Sequence, residues 1–235
     1  MQDFQQAFVQ AFTLIGSADP KLVEIISLSL QVTLTAVSVA CVIGFPVGAL
    51  LAVARFPGRM SVVVLLNSLM GLPPVVVGLC VYLMLSAAGP FGYLRLLYTP
   101  TAMVIAQTVL VTPIVAALAR QVIEDLHAEY DELLRSMNAS RFQTVWTLLV
   151  DARYSLLTAA LAGLGRAFAE VGAVVIVGGN IDRVTRVMTT TIALETSKGE
   201  LALALGLGFI LILLSILING SLFILKQAAE RMSYA

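Results

Sequence analysis

Charges are scarce in this chain, and where they fall is the first clue to its chemistry. Arg166 and Glu170 lie deep inside an apolar run, four residues apart, a spacing that would put both on one helical face. A charge at bilayer depth costs at least ~2.5–3.5 kcal/mol, so the two are either an ion pair steadying a helix bundle or groups at a gate or pathway. A denser concentration lies at residues 128–151. Tyr130, Leu133, Leu134 and Met137 recur there at i, i+3, i+4, i+7, with Glu129, Asp131 and Glu132 ahead of Arg135, the charge order the helix macrodipole favours. Asn138 tolerates the left-handed conformation that ends helices, and Ser140 with Gln143 has the form of a capping box. Phe142, Val145, Trp146 and Leu149 then repeat the apolar spacing. The pattern predicts a short amphipathic helix, a sharp turn at Asn138 and Ala139, and a second helix leading into membrane.

Other chemistries find little to stand on. His127 is the sole histidine and falls in a charged stretch, where a solvated side chain is expected rather than a ligand or base. Cys41 and Cys80 both sit in apolar runs and read as packing thiols, not a disulfide or metal site. No phosphate-binding Gly-x-x-x-x-Gly-Lys-Ser/Thr loop is present, so the chain is not expected to bind ATP in that way. No nucleic-acid partner is expected either.

The elements that must position these residues are membrane helices. Hydrophobic residues make up 59% of the 235 and charged ones 12%, a balance foreign to soluble domains of this size. About 20 residues are needed to cross a bilayer, and five apolar runs qualify, at about 22–53, 61–86, 101–118, 156–177 and 201–225. The expected fold is an all-α polytopic bundle. Residues 1–21 form a mildly amphipathic interfacial segment with no evident secretory signal, and 226–235 form a short tail. In the first run Gly44 and Gly48 permit close helix approach, and Pro46 implies a kink. Pro73 and Pro74 interrupt the second run, as a kinked packing helix or as a break lining a pathway. Gln107 and Thr108 are polar points of the third. Lys and Arg in alternate loops number eight (Arg55, Arg59, Arg120, Arg135, Arg141, Arg153, Lys226, Arg231) against five (Lys21, Arg95, Arg183, Arg186, Lys198). The bias predicts a cytoplasmic 120–151 loop, with the N-terminus outside and the C-terminus inside.

Residues 132–151 also resemble the EAA loop of ATP-binding cassette importer permeases, whose pattern is Glu-Ala-Ala, three residues, Gly, nine residues and Ile-x-Leu-Pro. Glu132, Asn138 six residues later, Ala139, Ser140, Leu148 and Val150 carry the likeness. Leu133 and Leu134 replace the two Ala, Asn138 the Gly and Asp151 the Pro. Residues 71–79, 105–108 and 165–181 are similar to the molybdate and tungstate branch, and 185–199 to tungstate-uptake permeases. This resemblance implies the type I importer fold across 22–225. It implies two copies of the chain with two ATPase subunits and an oxyanion-binding protein, most closely for tungstate and alternatively for molybdate. ATP and Mg would be held by the ATPase, with no cofactor on this chain and no enzymatic activity of its own. Glu132, Leu133, Leu134, Met137, Asn138, Ala139 and Ser140 would couple to the ATPase. Pro73, Pro74, Gln107, Thr108, Arg166 and Glu170 would line the pathway or gate. Thr185, Arg186, Thr189, Thr190 and Thr191 would either face the binding protein or form a solvated outer turn. A regulatory domain after the last span is not expected, since the ten residues after Leu225 are far fewer than the ~40 a domain needs. A stand-alone channel or secondary transporter, with Arg166 and Glu170 as an ion switch, is the reading from another class; it would call for inverted repeats.

Overall fold

The computed structural model describes Val9, Thr13, Gly16 and residues 20–233, apart from the side chains of Leu222, Leu225, Lys226 and 228–233. The interfacial segment expected at 1–21 lies almost entirely outside the described residues. Among the described residues there are nine α-helices and no strand: α1 (Pro20–Val53), α2 (Arg59–Leu69), α3 (Pro74–Leu85), α4 (Pro100–Ser136), α5 (Arg141–Asp151), α6 (Arg153–Phe168), α7 (Gly172–Gly178), α8 (Met188–Lys198) and α9 (Leu201–Ser233). A 3₁₀ turn, Gly92–Leu94, stands before α4. By length and composition α1, α4 and α9 can each cross a bilayer, and up to five spans result if the broken pairs α2 with α3 and α5 with α6 each count as one.

Prolines act in two ways here. Pro46 and Pro113 sit inside α1 and α4 without ending them, whereas the second run breaks at Pro73 and Pro74. The residue before a proline is pushed out of the α region, and two prolines in a row apply that push to Leu72 and to Pro73 itself. Pro73 is accordingly extended (φ −65°, ψ 122°), and Pro74 opens α3, where its missing N–H costs nothing.

Three expectations about elements need correction. The amphipathic helix expected around 129–137 is not separate: α4 runs unbroken for 37 residues from the third apolar run to Ser136, because nothing between Leu118 and Glu129 breaks a helix. The fourth run is two helices, α6 ending at Phe168 and α7 starting at Gly172. Glu170 therefore does not share a helical face with Arg166. Residues 226–233 continue α9 rather than forming a tail.

The chain folds as two compact units. Unit 1 takes residues 1–36, 73–107 and 167–218. Its apolar core gathers Leu22, Met188 and Leu207 with Ile25, Ile192 and Leu211 around them. In the same unit α3 lies directly against α7: a Cβ on Gly78 would meet Ala173 Cα at 2.7 Å, so only glycine lets the two backbones approach. Unit 2 takes residues 37–72, 108–166 and 219–235. Here the C-terminal half of α1 packs on α4 through Gly44 and Gly48, as their spacing suggests. A Cβ on Gly44 would lie 2.9 Å from Val115 Cγ1, and one on Gly48 2.9 Å from Arg120 N and closer still to Ala116 O. Ala49, Ala119, Ile123, Val145, Leu148 and Leu156 continue this core toward α5 and α6.

Candidate functional site

At the far end of α4 the backbone turns as the sequence suggests. Asn138 adopts φ 52°, Asn138 N–H donates to Arg135 O at 3.0 Å and Ala139 N–H to Leu134 O at 3.0 Å. These two bonds are the Schellman closure, which satisfies carbonyls a helix end leaves over. Two residues on, Ser140 Oγ accepts the Gln143 N–H at 3.3 Å while Gln143 Oε1 accepts the Ser140 N–H at 2.8 Å. One helix is closed and the next opened within five residues, by groups all local in sequence. At its other end α5 meets α6 at 76°, so an α6 that enters the bilayer leaves α5 lying across it.

The apolar stripe divides at this elbow. Tyr130 and Leu134 pack on the unit's own core, with Val145 and Leu148 of α5. Leu133 and Met137 point outward, 58% and 70% exposed, and beyond the turn Phe142 and Trp146 do the same at 77% and 63%. The four-residue stripe expected to serve a partner is thus half internal, and the exposed face continues onto α5 instead. Glu132 is exposed, with no ion pair among the described residues. Asp131 beside it is occupied, 2.7 Å from Arg135, 3.7 Å from Arg55 and 3.9 Å from His127. His127 is half-buried rather than solvated. Glu124 joins Arg59, at 2.7 Å, to Arg120. These ion pairs tie the turn after α1 to the C-terminal half of α4. Each exposed pair is worth no more than about 1 kcal/mol, so their role is to fix position more than to stabilise.

The pathway candidates do not form one group. Gln107 and Glu170 are both buried in unit 1 and line one small cavity with Ser29, Thr33 and Thr189. Gln107 Nε2 donates to Ala167 O at 3.3 Å, capping the last turn of α6. Glu170 Oε1 accepts the Ala173 N–H at 2.9 Å, capping the first turn of α7, and Thr189 Oγ1 donates to Glu170 O at 2.9 Å. Thr108 belongs to unit 2, where its carbonyl accepts the Thr112 hydroxyl. Arg166 is half-buried in α6, and Pro73 and Pro74 do not line the cavity. Ser29 and Thr33, four apart on α1, were not singled out by sequence; small polar residues at i, i+4 in an apolar run were the available signal.

The threonine-rich segment is not a turn but a helix with one buried and one exposed side, Ala193, Thr196, Ser197 and Lys198 lying on the exposed one. Residues 188–198 form a helix, and Thr185, Thr190 and Thr191 are buried. Thr185 Oγ1 donates to Gly178 O, Thr190 Oγ1 accepts the Val187 N–H at 3.1 Å, and Thr191 Oγ1 donates to Val187 O at 2.7 Å. Their hydroxyls are spent on backbone, which corrects the expectation that they face a partner. Thr189 turns inward to Glu170. Arg186 is half-buried and pairs with Asp182 at 2.8 Å. What this region offers outside is a cleft of about 360 Å³ in unit 1, lined by Lys21, Glu24, Asp182, Arg183, Arg186, Glu195 and Lys198 among others. No group of three or more metal-ligating side chains occurs among the described residues.

Apolar helices of membrane-crossing length are features of a membrane protein. The chain belongs to the family of binding-protein-dependent transport system inner membrane components, whose model matches residues 44–231. It is 36% identical over 227 residues to a tungstate uptake system permease of Peptoclostridium acidaminophilum, covering 97% of this chain and all of the relative. To the tungstate uptake system permease of Campylobacter jejuni it is 35% identical, over 90% of this chain and 89% of the relative. A probable anion ABC transporter permease of Haloferax volcanii is 36% identical over 84% of this chain and 88% of its own length.

Proposed function

We infer that this chain is the permease subunit of an ATP-driven importer of an oxyanion, tungstate first, working as a pair of copies with two ATPase subunits and a separate binding protein. The substrate rests on the tungstate relatives, which match this chain nearly end to end. The mechanism rests on one observation: the elbow at Asn138 leaves Leu133, Met137, Phe142 and Trp146 exposed beside the unpaired Glu132. An exposed apolar face rimmed by charge marks a partner surface, and Glu132 suits a basic residue of the ATPase. The Lys and Arg bias supports a cytoplasmic position for this face, with the N-terminus outside and the C-terminus inside. Closure of the ATPase would push on the end of α4, and because α4 is one helix the push would travel along it into the span. ATP and Mg would stay on the ATPase, and the substrate would be chosen mainly by the binding protein.

Two measurements test this. Cells lacking the chain should lose tungstate accumulation at nanomolar supply, read by elemental mass spectrometry, with molybdate less affected; unchanged tungstate uptake sinks the substrate assignment. Glu132→Lys should leave the chain inserted in the membrane but abolish co-purification of the ATPase and substrate-stimulated ATP hydrolysis. Retention of both would mean that this elbow is not the coupling element.

A further inference from the structure

The break between α6 and α7 buries hydrogen-bonding capacity that the surrounding protein does not use. Ala167 O can only accept, so the Gln107 amide must present its N–H side to it. The amide oxygen is thereby aimed elsewhere, and in a residue 4% exposed it is buried with no protein partner. Gln107 lines the small cavity shared with Ser29, Thr33, Glu170 and Thr189. Of the three hydroxyls that line it, two have committed their hydrogens: Ser29 Oγ donates to Ile25 O at 2.6 Å and Thr189 Oγ1 to Glu170 O at 2.9 Å; Thr33 is the third. A buried acceptor left without a donor carries its full desolvation penalty. The cavity measures about 10 Å³, the room one water molecule needs, and its walls supply the polar partners a water requires.

We propose that this cavity is a binding site for a single water molecule, which donates to Gln107 Oε1 and completes the capping of the helix break. Gln107 is the last residue of one segment of unit 1 and Ala167 the first of another, so the water sits where two passes of the chain are tied together. It makes the break a hydrated joint. A bound water exchanges partners readily, so re-aiming the joint need not strand a buried acceptor, whereas a joint closed by direct protein bonds would have to break them.

Radiolytic hydroxyl-radical labelling of the purified transporter reads the site directly, because radicals form at bound water. Met188 lines the cavity and is 1% exposed, while Met103 is as deeply buried and does not line it. Met188 should be labelled several-fold faster than Met103, and equally slow labelling of the two overturns the proposal. Val32→Ile gives an independent sign. Val32 is another wall residue, and an added methylene stabilises a dry cavity but expels a water and strands Gln107 Oε1. We expect a melting temperature lowered by about 2–4 °C, and a smaller loss when Val32→Ile is made in a Gln107→Met background, which has no oxygen to strand. A Val32→Ile protein that melts higher than the parent, or an equal loss in both backgrounds, overturns the proposal. If the variant does not fold, the labelling comparison decides alone.

Discussion

Two of the breaks between helices pose the same problem and answer it differently. At Asn138 and at Glu170 a helix ends and another begins within a few residues, leaving carbonyls on one side and N–H groups on the other to be satisfied. The elbow at Asn138 does this with its own neighbours: Arg135 and Leu134 carbonyls, the Ser140 hydroxyl and the Gln143 amide, none more than five residues from its partner. The break at Glu170 has one local cap, the Ala173 N–H on Glu170 Oε1, and otherwise reaches across the fold, from Ala167 to Gln107 sixty residues earlier and from Glu170 to Thr189 nineteen later. The first is exposed and water can substitute for any partner it loses; the second is buried and nothing protein-borne can. Local caps suit an element that presents a face to a partner and must keep its shape alone. Long-range caps suit an element whose shape depends on the packing of the bundle.

That contrast is broken most severely at Glu170. Glu170→Ala removes the carboxylate that caps α7 in a residue 3% exposed and leaves the Ala173 N–H buried. Charged hydrogen bonds are worth about 1.5–3 kcal/mol, so thermal unfolding of the purified permease should show a loss of at least ~2 kcal/mol. Loss of α7's position should carry to α3, because Gly78 and Ala173 are in backbone contact. A loss as small as that of a surface cap would mean the break is not held in the way its geometry suggests.

Asn138→Val comes next. The residue holds φ 52°, where an L-residue pays roughly 1–2 kcal/mol and a β-branched one is an outlier. Relief of that strain would unwind the elbow and separate Leu133 and Met137 from Phe142 and Trp146. The variant should therefore lose more in coupled ATP hydrolysis than in melting temperature, the reverse of what Glu170→Ala should show. Should melting fall and coupling survive, the elbow's shape would matter to folding alone.

The same contrast explains what could be read from sequence. Every partner of the Asn138 elbow is within five residues, so spacing alone announces the Schellman turn and the capping box. Gln107 and Glu170 stood out only as polar residues in apolar runs; nothing linear says that both would cap one break, because their meeting depends on how α4 packs near Ala167. The helix reading of Arg166 and Glu170 failed for a similar reason. Glycine disfavours a helix, yet Gly165 lies inside α6 and Gly172 opens α7, so glycine position alone does not mark the break. The threonines misled because α8 has to be seen before Thr185, Thr190 and Thr191 can be recognised as buried caps rather than surface hydroxyls. Continuity of α4 as far as Ser136 was legible in the absence of Gly and Pro from 119 to 136, and the charge pattern obscured it.

Ser140→Ala separates two parts of the elbow. It deletes the acceptor for the Gln143 N–H but leaves the Schellman closure intact. N-cap losses of this kind cost about 0.5–2 kcal/mol, with the low end expected at an exposed site where water can replace the hydroxyl. Melting should fall only slightly, and ATPase co-purification should persist. A loss matching that of Glu170→Ala would remove the distinction between exposed and buried caps.

The smallest effect should come from Asn138→Gly, and its smallness carries the argument. If Asn138 serves only by accepting a left-handed backbone, glycine serves as well, since without a Cβ it adopts positive φ at no steric cost. The Asn138 side chain is exposed and has no hydrogen bond among the described residues, so deleting it strands nothing. A slightly larger entropy of the unfolded chain should cost a few tenths of a kcal/mol, at the edge of what melting resolves, with transport and ATPase binding unchanged. A clear loss of coupling in Asn138→Gly, with melting intact, would mean that the side chain itself touches the partner. The elbow would then be a recognition surface at its tip as well as along its apolar face, and the division drawn above between shape and contact would have to move.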